Sequence, residues 1–511
     1  MFKLLNSNRG MALPLVLVTI VIFVMFSTAI LGMGTVDTKG AVQDSYKAQA
    51  YYYAHSGADA VASYIVENPD NLSAREMNDL VDSLIANGDS DPFSLSPSDG
   101  GSIVVNVSRS GNTISVRSKA TYQNSQATVT HNINKSIVAG EPFDKAIYSK
   151  NDITMTEGAT IKGDIAGLSD INIENGTVDG TVYIHPHAGI DVVDHPSWIK
   201  PTVNNLDDIF EYEEFPFPDF PGYPTGLSTY SQTLNVNNSA QINDNRYYTN
   251  GINVSNGTLE IIRGNTNRVI RTKYLKVSGS GQITDVRSGN GNLEIFVDDY
   301  LDLSDSTALN FSLGNGDIII RVKRLLLNQG FIVVQRNGTG KLYIYVDDVF
   351  HIDGSSRINV PSKDEDGPLG DPKHAFVYYA GTRDKNGNDI TKGENYNNFL
   401  RFPNNIRIAA TIHIKEAQIH IANGTGIVGN IISGGGKIKL DGGTNTDVKA
   451  IYAPNARIEV SGGAKITGII VCDSFSMEGG ARIEYAPLEP EDLEYFKIVA
   501  GKTVYSYGYW E

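Results

Sequence analysis

Short apolar runs flanked by Gly or Asn return along this chain at nearly constant steps, which restricts what it can fold into. Ile252-Asn253-Val254, Leu275-Lys276-Val277, Leu301-Asp302-Leu303, Leu325-Leu326-Leu327 and Phe350-His351-Ile352 follow one another at 23, 26, 24 and 25 residues. Toward the end, Gly442-Gly443, Gly462-Gly463 and Gly479-Gly480 repeat at 20 and 17. A longer copy joins distant regions. Lys145-Ala146-Ile147-Tyr148 returns 304 residues later as Lys449-Ala450-Ile451-Tyr452, and Gly158-Ala159-Thr160-Ile161-Lys162-Gly163 returns 305 later as Gly463-Ala464-Lys465-Ile466-Thr467-Gly468. Runs this short cannot bury an apolar face alone. At periods of about 20 residues with turn chemistry between them, each is completed by stacking on the next.

Residues 141–490 are therefore expected to form a parallel β-helix, right-handed by the crossover rule. A large β-sandwich alternates in the same way and stays open as the second fold. Two stretches interrupt the ladder, near 196–245 and 362–405. The first holds Phe215-Pro216-Phe217-Pro218-Asp219-Phe220-Pro221, which cannot be a central strand and reads as an extended strap or linker. The second is polar and reads as a long loop. With one cysteine, Cys472, no disulfide can form within the chain. Cys472 sits in an apolar run and reads as a core thiol. The formal charge of −16 argues against nucleic acid as a partner.

The N-terminus is of another kind. Lys3 and Arg9 precede Gly10, and Met11 to Met33 is a run of 23 residues without a charge. As helix it spans about 34 Å, enough for a bilayer core of roughly 30 Å. Helical periodicity continues outside: Ala50, Tyr53, Ala54, Gly57, Ala58, Val61, Ala62 and Ile65 recur at three- and four-residue steps. Asn68-Pro69 ends it. A short amphipathic helix is expected over Leu72–Ala86. From Ser102 the period becomes two, giving a hairpin around Ser110-Gly111-Asn112 and a third strand over Ala127–Ile133.

A basic leader, a glycine and an immediate hydrophobic helix resemble the prepilin signature of type IV pilins and pseudopilins. The segment Ala48 to Asp59 is similar to the Ala-rich segment of PilX-type pilus assembly proteins. The resemblance implies cleavage after Gly10 by a prepilin peptidase and N-methylation of Met11. It also implies assembly with other pilins or pseudopilins on an inner-membrane platform. The family's glutamate, five residues into the mature chain, corresponds here to Leu15. That absence is shared with minor pseudopilins of filament tips. A signal anchor or a cleaved signal peptide are the plainer readings of the same residues.

The resulting layout is a leader (1–10), a transmembrane and stalk helix (11–67), a small α+β pilin-like head (68–140), the β-helix (141–490) and a C-terminal cap or tail (491–511). The fold class is α+β followed by a mainly-β solenoid. The expected place is the cell membrane, single-pass through 11–33, with the C-terminal part outside. The expected function is a structural minor or tip subunit of a pilus-like assembly, with no enzymatic activity and no cofactor. The alternatives are an adhesin that binds glycans or another cell-surface ligand, or a tethered polysaccharide-degrading enzyme.

Few residues point to chemistry. Asp298-Asp299 and Asp347-Asp348 occupy matching places and could gather Ca²⁺, although turn-forming aspartates explain them as well. Asp384, Asn386 and Asn388 alternate like the start of a calcium loop, but Asp389 and Asn395 replace the Gly and Glu that such a loop needs. His185, His187 and His195, and His413 with His420, lack the partners that make a zinc site specific. The tail Val504–Trp510 is aromatic at alternate positions and reads as a strand capping the solenoid, with an exposed aromatic patch for sugar or surface binding as the alternative.

Overall fold

The computed structural model describes residues 12–67, 93–98, 100–110, 113–139, 143–185, 190–191, 202–205, 215–362, 369–403, 405–422, 424–443, 445–489, 492, 496 and 501–510. Gly10, Met11 and the helix expected over 72–86 lie outside them. The chain divides into two compact units, residues 1–138 with 502–511, and residues 139–501.

The first unit starts with α1, Ala12–Glu67, 56 residues without a break, about 84 Å of helix. Its C-terminal half buries the face that the three- and four-residue spacing marks. Ala54, Ala58, Ala62 and Ile65 are fully buried against Ile103, Val105, Ile114, Val116, Val129 and Ile133 of an antiparallel sheet. Small residues are required there. A Cβ on Gly57 would lie 2.6 Å from the Ile103 side chain and 2.7 Å from the Ser118 hydroxyl.

That sheet has five strands: Phe93–Leu95, Ser102–Ser110, Thr113–Tyr122, Ser125–Ala139 and, last in its order, Gly501–Trp510. The tail is therefore a strand, but it does not cap the solenoid. Its rings contact the small unit while staying partly exposed: Trp510 stacks on His131 at 3.7 Å and on His55 at 4.0 Å, and Tyr507 on His131 at 5.5 Å. Period-two patterning identifies a strand and is silent about its partner. The second unit is thus inserted between the fourth and fifth strands of the first unit's sheet.

The second unit is a parallel β-solenoid. Every pair described in its 34-stranded ladder is parallel, which excludes the sandwich. The register follows the sequence ladder: Ile252 pairs Leu275, Leu275 pairs Leu301, Leu301 pairs Leu325, and Leu325 pairs Phe350. Inward residues form one continuous core from Ala146 to Ile483. Where coils turn, Gly442, Gly462 and Gly479 stack with φ of 69°, 69° and 68°, a left-handed conformation natural to glycine.

Stack order is not chain order. The strand Ile469–Met477 pairs on one side with Asn445–Val460 and on the other with Ile147–Ser149 and Ile153–Met155. The two copies of Lys-Ala-Ile-Tyr therefore flank one strand, and residues 147–205 extend the C-terminal end of the stack. The opposite end begins at Ser228–Tyr230.

Both expected interruptions are narrower than the sequence reading. Thr202–Asn205, Ser228–Tyr230, Leu234–Val236 and Ser239–Ile242 are ladder strands. So are Ala375–Tyr379 and Leu400–Phe402 within the supposed loop. Their short apolar alternation is diluted by polar flanks, but Ala375, Val377 and Tyr379 are buried.

One charge pair is sealed in the solenoid. Arg263 and Asp285 have side chains with 0% exposure and meet through two hydrogen bonds of 2.9 Å. The guanidinium also donates to the carbonyls of Gly291 and Ser312. Every donor direction used is internal, so removing one partner strands the other. Arg263→Met is expected to destabilise the solenoid by about 3–5 kcal/mol in chemical denaturation. The double variant Arg263→Met with Asp285→Leu should recover most of that loss, and a single-variant loss below about 1 kcal/mol would contradict a sealed pair.

Candidate functional site

Two surfaces stand out, one in each unit. In the first, α1 exposes an apolar half: Leu15 (69% exposed), Phe23, Phe26, Leu31 and Met33 have no packing partner layer. The polar atoms of that half close on the helix itself. Thr19 donates to the carbonyls of Leu15 or Val16, and Thr28 to those of Val24 or Met25. The helix is long and apolar enough to cross a membrane, as a span or a signal segment near the N-terminus would be. Leu15 lies on this exposed half. Gly10 and Met11 are outside the described residues.

In the second unit, one outward ladder differs from the rest of the solenoid surface. Tyr247, Arg271, Phe296, Arg321, Tyr345, Tyr378 and His413 are successive register partners. The proline-rich strap lies along them in the reverse direction. Phe217 packs edge-on against Tyr378 and His413, Phe220 against Tyr345, and Tyr223 against Phe296. The lengths agree. From Phe217 to Tyr223 an extended chain covers about 19 Å, and four steps from Phe296 to His413 cover about 19 Å.

Prolines have no N–H, so the strap cannot pair as a strand and offers this face carbonyls. Arginines supply the donors. Arg321 bonds the Pro221 carbonyl at 2.5 Å, and Arg271 the Pro224 carbonyl at 3.0 Å. Each guanidinium also stacks on a ring, Arg321 over Tyr223 at 4.4 Å and Arg271 over Tyr247 at 4.6 Å.

Two of the four aspartates singled out from sequence, Asp298 and Asp347, belong to this lock. Asp347 accepts from Arg321 at 3.1 Å and from the Tyr223 hydroxyl at 3.0 Å. Asp298 accepts from Arg271 at 2.9 Å and from Tyr247 at 2.7 Å, and Asp299 from Arg324 at 2.7 Å. The main-chain carbonyl of Asp348 accepts from Tyr379 at 3.2 Å. Burial first, then the Asp347 charge, raises the Tyr223 phenol and keeps it a donor.

Asp384 closes its own turn, accepting at 2.8 Å from the amides of Asn386 and Asn388 and from the Asn388 side chain. Burial pushes its carboxyl up, and hydrogen bonds from Asn388 and Asn386 outweigh that and leave it below the ordinary value. Among the described residues, no group of three or more His, Cys, Asp or Glu is placed to hold a metal ion. His420 pairs with Asp441 at 2.6 Å, whereas His413 sits under the strap. His187 and His195 lie outside the described residues. Cys472 is fully buried, and burial raises its thiol to about 12.

The strapped ladder was missed from sequence. Its signal is an aromatic or Arg four or five residues before each ladder position: Tyr247, Arg271, Phe296, Arg321 and Tyr345 before Ile252, Leu275, Leu301, Leu325 and Phe350.

The chain is thus a protein with a long, half-exposed apolar helix, a small antiparallel sheet and an inserted parallel β-solenoid. No protein-family model matches its sequence, and no curated protein matches it. Among solved structures it is similar to the competence-associated pilin ComZ from Thermus thermophilus, at 10% identity and a TM-score of 0.21, over 91% of this chain and 97% of that one. It is also similar to a possible adhesin C-terminal domain from Caldicellulosiruptor kronotskyensis, at 10% identity and a TM-score of 0.16, over 70% of this chain and 97% of that one. Superpositions this poor establish neither a shared fold nor a shared role.

His413 makes the strapped face sensitive to acid. Burial pushes its imidazole down to about 4, so the folded ring stays neutral while the unfolded one protonates near 6.5. Its contribution is complete above pH 6.5 and is lost as pH falls toward 4, amounting to about 3 kcal/mol. Urea unfolding at pH 7.5 and pH 4.5 should show the loss, and His413→Phe should reduce it. An unchanged pH dependence in that variant would contradict a neutral, buried His413.

Proposed function

We propose that this chain is a minor or tip subunit of a type IV pilus-like or pseudopilus assembly, presenting a β-helical head at the cell surface. The observation that carries the reading is the division along α1: an apolar half left exposed, then a small-residue half buried on an antiparallel sheet. That is the arrangement needed for helices to pack together in a filament core while heads face outward. Partners in this reading are other pilins or pseudopilins, a prepilin peptidase acting between Gly10 and Met11, and an inner-membrane platform. Leu15 brings no carboxylate into the hydrocarbon, where an unpaired one is costly. With the bulk of residues 139–501 on each copy, that favours the end of a filament over its shaft. The role requires no enzymatic activity and no cofactor.

A second reading, a surface adhesin, is favoured by a cleft of about 420 Å³ between the Phe215 end of the strap and the coils. Intact-mass analysis of the exported protein tests the first reading. The expected product begins at Met11 and carries one N-methyl group. A product that still begins at Met1 would reduce the chain to a signal-anchored protein.

A further inference from the structure

The strap does not seal the solenoid at its Phe215 end. Between Phe215-Pro216-Phe217 and the coils lies a cleft of about 420 Å³, within the range that holds small molecules. Its walls are the half-buried rings of Phe215 and Phe217; Tyr452, also in the lining, is fully buried. Its polar groups are Ser433, Asn455 and His413. His413 is only 3% exposed, and its Nδ1 has no hydrogen-bond partner. A buried polar atom left unpaired costs about 1–3 kcal/mol, so a ligand that reaches it gains what the free protein forgoes.

Charge narrows the ligand further. The two charged groups on the cleft, Lys415 and Glu416, are of opposite sign, half-exposed and 3.9 Å apart, so they give it no net charge. Burial keeps His413 neutral near pH 7. Neither sign of charge is in excess there to select a phosphate, a carboxylate or an ammonium. What fits is an uncharged ring with an apolar face for the aromatic walls and hydroxyls around its edge for imidazole, amide and hydroxyl partners.

The geometry points to a binding pocket for a neutral saccharide, one or two sugar rings deep, with the strap as one wall. This rests on the adhesin reading and assigns it a place. Pro216 on the strap and Pro454 on the coils line the cleft without N–H groups that would otherwise demand partners. Bound sugar bridges strap and coil, and so also stabilises the strap.

The test titrates the full chain, in a detergent without sugar head groups, with glucose, galactose and N-acetylglucosamine and their oligomers. Saturation-transfer NMR provides the readout, and glucuronic acid and inorganic phosphate are the charged controls. At least one neutral saccharide should bind with a Kd of about 1 mM or tighter, and the charged controls at least tenfold more weakly. His413→Phe and Asn455→Leu should each raise the Kd about tenfold, and Asn455→Leu should leave the melting temperature unchanged. Asn455 is exposed, so its variant carries the test even if the His413 variant fails to fold. Saturable neutral-sugar binding that neither variant weakens would overturn the pocket and leave the adhesin reading standing. Equal binding of the charged controls would also overturn the pocket. No binding of any saccharide would remove both, and none of these results bears on processing at Gly10.

Discussion

The pairing of Ile469–Met477 with Ile147–Ser149 and Ile153–Met155 sets the plan of the larger unit. Once the first coils are committed to the C-terminal end of the stack, the chain must travel to the other end before it can start the next coil at Ser228. The strap is that journey. A chain wound in simple order would have no need of it. The same pairing sets the first and last strands of the unit side by side in its stack.

A crossing segment on a solenoid surface has to avoid becoming another strand and still be held down. Prolines at 216, 218, 221 and 224 prevent pairing by removing donors. Aromatic residues between them give the segment one contact per coil, and arginines on the ladder return the hydrogen bonds that its carbonyls need. Asp298 and Asp347 orient those arginines, which is a different use of stacked acidic residues from cation binding. The arginines are half-buried and bidentate or ring-stacked, the setting in which a guanidinium outperforms an ammonium.

Much of this was legible in advance, and the failures are informative. Ladder periodicity gave the register of Ile252, Leu275, Leu301, Leu325 and Phe350, because inward apolar residues have to meet coil by coil. The duplicated Lys-Ala-Ile-Tyr segment announced related coils. It could not announce that they flank a common neighbour, since similarity carries no adjacency. The outward ladder went unread because surface positions are expected to be polar, and the alternation of Arg with aromatic residues looks irregular until the strap is laid over it. The tail was read as a strand with the wrong partner, since alternation is local and pairing is not. The cleft at His413 was invisible for the same reason: Phe215 and Tyr452 are separated by more than two hundred residues.

The closure of the stack also imposes an order in time. Residues 147–162 leave the ribosome first among the coils, yet the edge they complete is made only when Met477 has been synthesised. At about 5–20 residues per second the wait is roughly 15–60 seconds. Throughout it, several apolar strands present open edges that favour pairing with any other chain. Winding from Ser228 onward can proceed as the chain emerges, so assembly begins in the middle of the sequence and its opening coils are the last to be seated.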